Sequence, residues 1–138
     1  MKREAIVCDV DGTVALRTER QPYDMSRVGE DICNDVVWAV IRALHITYGY
    51  PVVFTSGRDE KCRDDTGQWL NRHFRGLEFH LMMRTHGDGR PDSVVKKEML
   101  DEILDVYDVF CVFDDRNSVV DMWRANGLTC LQVAPGDF

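Results

Sequence analysis

Glu4-Ala-Ile-Val-Cys-Asp-Val-Asp-Gly-Thr13 decides the fold. Its apolar run, Ala5 to Cys8, stops at two carboxylates and a glycine, as a short strand buried on both faces does where it ends in a turn. Runs of the same kind recur at Pro51–Ser56, Glu78–Met83, Asp108–Phe113 and Leu128–Val133. Between them the apolar residues take helical spacing. Ile32, Val36, Val37, Val40, Ile41 and Leu44 predict a helix stopped by Gly49, and Cys62, Thr66, Trp69, Leu70 and His73 predict one stopped by Gly76. Val95, Met99, Ile103 and Val106 predict a third, capped by Asp92; Val119, Val120 and Trp123 predict a fourth, capped by Asn117 and ended by Gly127. Strands alternating with helices predict one α/β domain over residues 1–138, a three-layer, Rossmann-like, five-stranded parallel sheet with helices on both faces. The connection from Gly12 to Asp31 has neither period and is too long to be idle, so it predicts a flap or small hairpin over the strand ends.

A chain of 138 residues supports one real core. With 17 Lys plus Arg against 24 Asp plus Glu, its net charge of −7 argues against a general nucleic-acid coat or a membrane-surface binder, either of which uses a broad basic face. Five cysteines, none in a C-x-x-C pair, suit buried thiols in a reducing compartment. No signal peptide or membrane span is legible, so the expected location is cytoplasmic.

In an open parallel sheet, ligands bind at the carboxyl ends of the strands. Those ends here carry Asp9 and Asp11, then Thr55-Ser56-Gly57-Arg58, then Asp114 and Asp115, while the third predicted helix opens with Asp92 and carries Lys96. Asp9 and Asp11, two residues apart at a strand end, are expected to project into one crevice. Four carboxylates crowded together are unstable at neutral pH without a cation or retained protons, and a hard divalent ion such as Mg²⁺ resolves this. Calcium of the EF-hand type fails, because Val14 and Arg20 stand where that loop needs Gly and Glu. No P-loop, dinucleotide fingerprint or C-x-x-x-x-x-R occurs, and the four histidines have no zinc-like spacing.

Asp9-Val-Asp-Gly-Thr13, Ser56, Lys96 and Asp114-Asp115, in this order, resemble the four-part signature of the haloacid dehalogenase-like (HAD-like) phosphatases. Val53 to Glu60, Asp92 to Lys96, Asp114 to Arg124 and Gln132 to Phe138 are similar to the 3′-phosphatase modules of bacteriophage polynucleotide kinase/phosphatases, and the likeness covers essentially the whole chain. It implies that Asp9 is a nucleophile forming an aspartyl-phosphate, that Asp11 is the general acid and base, and that Lys96 supplies countercharge, oriented by Asp92. It further implies Mg²⁺ held by Asp9, by Asp11 through its backbone carbonyl, and by Asp115, with Asp114 nearby. Thr55, Ser56, Gly57, Arg58 and Arg20 would bind phosphate. Arg17, Arg63, Arg84 and Arg90 read as surface residues.

The connections where this superfamily inserts a cap domain are short here, so no large lid is expected and the site should be open to a bulky substrate. The expected activity is Mg²⁺-dependent removal of 3′-phosphate, and by the same resemblance of 2′,3′-cyclic phosphate, from DNA or RNA ends in repair, in the host cytoplasm if the enzyme is phage-encoded. A nucleotidase and a non-catalytic phosphate-end binding subunit are the alternatives. Met1 stands directly before the first strand, so kinase activity is not expected and a kinase or ligase would be a separate partner; self-association stays open.

Overall fold

The computed structural model describes residues 1–138. β1 (Arg3–Asp9) leads into a two-stranded flap, β2 (Ala15–Leu16) and β3 (Ile32–Cys33), paired antiparallel around a 3₁₀ turn at Met25–Glu30. There follow α1 (Asp35–Tyr48), β4 (Val52–Asp59), α2 (Arg63–His73), β5 (Phe79–Arg84), α3 (Asp92–Val106), β6 (Tyr107–Asp114), α4 (Asn117–Ala125) and β7 (Cys130–Gln132). The five main strands are all parallel in the order β5-β4-β1-β6-β7. The chain winds outward from β1 to β5 and returns to β6, so the crevice of the doubly wound sheet opens where the direction reverses, beyond the ends of β1 and β6.

Alternation along β1 builds both outer layers. Ile6 and Cys8 join a core with Val37 and Ile41 of α1 and Trp69 and Leu70 of α2. Ala5 and Val7 face the other way, into a core with Leu100 and Ile103 of α3 and Val119, Val120 and Trp123 of α4. All five expected strands and all four expected helices are present, no cap domain interrupts them, and no helix is long and apolar enough to cross a membrane.

Several expectations at the element ends are corrected. Ile32 belongs to β3, not to the first helix, and Val36 and Val40 of that helix's apolar stripe are exposed, as is Val106. Neither Asp92 nor Asn117 caps its helix: each is the first helical residue, and each side chain is engaged elsewhere. Gly49 does end α1, at φ +72°, where its N–H returns to His45. Two ladder irregularities matter more. Phe110 is extra between Val109 and Cys111, opposite Ala5 and Ile6 of β1, and swings out beside Tyr48 and Tyr50. Gly57 and Arg58 leave the β4–β5 ladder between Ser56 and Asp59, which re-aims the Arg58 side chain towards the crevice.

Candidate active site

The loop after β1 is wound around one carbonyl. Val10 O accepts from the N–H groups of Thr13, Val14 and Ala15 at 3.3, 3.1 and 2.9 Å, and Val10 itself is fully buried. Gly12 turns the chain at φ +80°, and a Cβ there would stand 2.2 Å from Asp115 Oδ2, so both the turn and the approach of Asp115 require glycine. The winding separates the two carboxylates of the motif. Asp9 is buried at the strand end, whereas the Asp11 side chain is 40% exposed at the mouth.

Lys96 reaches in from α3 with its ammonium buried. Nζ donates to Asp9 Oδ1 at 2.6 Å and to Asp114 Oδ2 at 3.1 Å, while Thr13 Oγ1 donates to Asp9 Oδ2 at 2.9 Å. Burial works against the Lys96 charge, but Asp114 and Asp9 outweigh it and hold the ammonium firmly protonated. Burial raises the Asp9 carboxyl well above the usual carboxylate range, with Asp114 and Asp115 adding to the rise and Lys96 opposing it; burial and Asp114 also raise Asp115.

Asp9, Asp114 and Asp115 each bring a carboxylate oxygen within 4.8 Å of the others. Three carboxylates against one ammonium leave two negative charges, which are relieved by retained protons or by one divalent cation. The all-oxygen, carboxylate-rich donor set fits Mg²⁺. The two neighbouring aspartates differ in what they have left to offer. Asp114 accepts from the N–H of Asp115 and of Arg116 on Oδ1, and from Lys96 and Trp123 Nε1 on Oδ2, at 2.8, 3.3, 3.1 and 3.1 Å, which fills the lone pairs of a carboxylate. Asp115 makes no such set of bonds and remains the open donor of the pair. Asp11 does not join the cluster with its carboxylate, contrary to the crowding of four expected from its spacing.

Two guanidinium groups hold Asp11 instead. Arg58 donates to both of its oxygens, at 2.9 and 2.7 Å, and Arg20 to Oδ1 at 3.2 Å. Behind them sits Asp31, fully buried, taking a bidentate pair from Arg20 at 2.8 and 2.9 Å and a further bond from Arg58 at 2.9 Å. Thr66 Oγ1 accepts the remaining arm of Arg58 at 2.9 Å. Arg20 is thus neither a solvated flap residue nor a free phosphate hook; its charge is strengthened first by the hydrogen bond to Asp31. Asp31 was not legible as a site residue, because its partners lie 11 and 27 positions away and only the flap's return brings them together.

Of the residues expected to hold phosphate, Ser56 is fully buried, and its Oγ accepts the Arg58 N–H at 3.1 Å, leaving its own O–H to donate. Thr55 pairs with Asp9 across the ladder and keeps a buried hydroxyl without a hydrogen-bond partner. Asp92 does not bond Lys96. It pairs with Arg84 and, at 2.8 Å, with Arg116, and a Cβ on Gly57 would come within 2.5 Å of it. Burial opposes its charge, yet Lys96, Arg116 and Arg84 together lower its pKa. Arg84 is not a surface residue: it also donates to Gly57 O and Asp88 O at 2.9 and 3.0 Å, pinning the loop ahead of α3. A cleft of about 810 Å³ opens above these groups, floored by Asp11 and Arg58 and bounded by the flap on one side and Arg116 and Phe138 on the other.

A model of the family described as the polynucleotide kinase PNKP phosphatase domain matches residues 3–138. A protein of Autographa californica nuclear polyhedrosis virus, described as a bifunctional polynucleotide kinase/RNA ligase, is 37% identical over 122 residues, which are 87% of this chain and 18% of the viral protein. A solved chain from the Pnkp1/Rnl/Hen1 RNA repair complex superposes with a TM-score of 0.90 at 40% identity, covering 99% of this chain and 44% of that one. This chain therefore spans less than half the length of these relatives. The class C acid phosphatase of Bacillus anthracis, at 15% identity and a TM-score of 0.63, covers 99% of this chain and 67% of its own and shares the fold.

Proposed function

The chain belongs to the family of polynucleotide kinase PNKP phosphatase domains and is a phosphatase, and from that premise we propose that it removes 3′-phosphate from DNA or RNA ends as an end-healing enzyme. The observation that carries the reading is the buried Asp9–Lys96–Asp114–Asp115 cluster, with Asp115 packed against Gly12 in the wall of a cleft that no cap domain covers. A phosphate at the end of a long chain reaches such a site without having to be enclosed. The same site would take a 2′,3′-cyclic phosphate end.

Asp9 is the nucleophile of this proposal. One of its oxygens forms a bond to phosphorus as the bond to the 3′-oxygen breaks, giving an aspartyl-phosphate, and water then attacks that phosphorus and restores the carboxylate. Lys96 and Thr13 fix the two oxygens of Asp9 so that the attacking lone pair is already oriented. Asp11, at the mouth, is the proposed group for the proton given to the leaving oxygen and taken from the incoming water, and it can carry the first of these protons only once Arg20 and Arg58, which donate to both of its oxygens, turn to the phosphate. Ser56, Thr55 and the Gly57 N–H are the donors for phosphoryl oxygens. Mg²⁺ would be held by Asp9, Asp115 and the Asp11 carbonyl, with Asp114 positioning Lys96, and when bound it offsets the negative charge of carboxylate and phosphate.

The kinase/ligase description of the viral relative, and the repair complex of the structural one, support a working place beside kinase or ligase activities. The test is phosphate release from a 3′-phosphorylated oligonucleotide compared with free 3′- and 5′-mononucleotides. Release from the oligonucleotide, lost in Asp9→Asn with the fold retained, is the expected result; preference for mononucleotides would overturn it in favour of a nucleotidase.

A further inference from the structure

Two aromatic rings stand at the cleft and are mostly exposed, Tyr23 at 91% and Phe138 at 68%. The face of Phe138 is already taken by the Arg116 guanidinium, 4.9 Å from the ring centroid. Tyr23 has no aromatic or cationic neighbour, so both of its faces are free. A ring so exposed offers a flat apolar face to a planar partner.

The backbone under Tyr23 is held on both sides. Arg20 Nη1 donates to the carbonyls of Gln21 and Pro22, at 3.4 and 3.3 Å, and the Asp24 N–H returns to Gln21 O at 3.0 Å. Immediately after it, Asp24 caps the Met25–Glu30 turn by accepting from the Ser26 N–H at 3.2 Å. The guanidinium that fixes this turn also bonds Asp11, which ties the ring to the reacting end of the site. Arg17 and Lys61 line the same cleft, exposed and paired with no carboxylate, unlike Arg90, which Asp88 and Glu98 hold.

A free aromatic face on a turn whose backbone is already held, with unpaired cations lining the same cleft, matches the chemistry of single-stranded polynucleotide: bases stack, phosphates meet the charges, and the backbone beneath the ring need not be ordered on binding. The geometry points to a nucleobase subsite on Tyr23, with Arg17 and Lys61 receiving backbone phosphates of the same strand. It deepens the 3′-end reading and rests on it. Tyr23 is the residue that tells a polynucleotide end from a bare phosphate ester.

The experiment is a two-by-two comparison of kcat/KM. Wild type and Tyr23→Ala each meet a single-stranded 3′-phosphorylated oligonucleotide and the same strand with abasic sites at its last two positions. Removing the bases or removing the ring should each lower kcat/KM by about 5- to 150-fold, the loss of one base–aromatic stack, and removing both should cost little more than either alone. Tyr23→Trp should restore the full rate on the normal strand. Equal losses on both substrates, or no loss on either, would overturn the subsite while leaving the 3′-phosphatase reading intact. A wild type inactive on the oligonucleotide but active on mononucleotides would overturn both.

Discussion

Asp31 has no exposed side-chain surface, and two guanidinium groups, each 1% exposed, converge on it. Replacing it by Asn removes the charge and leaves Arg20 and Arg58 with the partly exposed Asp11 as their only carboxylate. Breaking a buried ion pair from one side costs about 3–5 kcal/mol, so Asp31→Asn should lower the unfolding free energy in urea by that order. A loss below about 1 kcal/mol would mean that the Arg pair is held by something else. The thiols make a separate prediction. Burial pushes Cys33, Cys111 and Cys130 up to about 11, with Asp35 adding to Cys33 and Asp114 to Cys130. At pH 8 about a thousandth of each is thiolate, so alkylation by iodoacetamide should be slow there and accelerate roughly tenfold per pH unit towards 11. Rapid labelling of partly exposed Cys33 at pH 8 would contradict this. At this scale the sequence marked Asp9, Lys96, Asp114 and Asp115 as candidates that the structure brings together, because each lies at a strand end or near a helix start. It hid Asp31, which meets its arginines only through the return of the flap, and Arg84 and Trp123, whose residue types are ordinary in loops and cores.

Gly136 shows what the elements contribute. The segment after β7 runs back over the end of β6, where Gln132 Nε2 donates to Asp115 O at 3.0 Å and the Asn117 N–H to Gly136 O at 2.9 Å. A Cβ on Gly136 would fall 1.7 Å from Asp115 O, a backbone atom that cannot step aside. Gly136→Ala should therefore displace this segment and with it the support of Asp115. The Mg²⁺ concentration for half-maximal phosphatase activity should rise by about 10- to 100-fold while the far-UV circular dichroism stays that of the wild type. An unchanged Mg²⁺ requirement would remove Asp115 from the metal account. The strands themselves were legible because both of their faces are buried, which yields plain apolar runs. The helix caps were not, since a side chain at a helix start has several partners to choose from; Asp92 found Arg84 and Arg116 instead of its own backbone. Nor was the Phe110 bulge, which turns one residue out of an otherwise continuous run.

For the whole molecule, a net charge of −7 and an open cleft act together. On the proposed reading, the net negative charge should disfavour coating of a long strand and confine contact to the end that enters the cleft. If Arg17 and Lys61 meet about two phosphates, log kcat/KM on a single-stranded oligonucleotide should fall with log salt at a slope of about −1.4; a slope several times steeper would mean an extended binding face. Lengthening the oligonucleotide beyond its last few nucleotides should then add little. The absence of a cap domain was legible from the short connections at the points where the superfamily this chain resembles inserts one, and the flap was expected as a feature but not in its details, which depend on Arg20 turning inward to Asp31. The roles of Asp9 and Mg²⁺ are tested most directly by one measurement, a set of assays of inorganic phosphate released from a 3′-phosphorylated oligonucleotide by the wild type and by Asp9→Asn, each with Mg²⁺ and with EDTA. The proposed mechanism predicts release only from the wild type with Mg²⁺; release by Asp9→Asn, or undiminished release in EDTA, would contradict it.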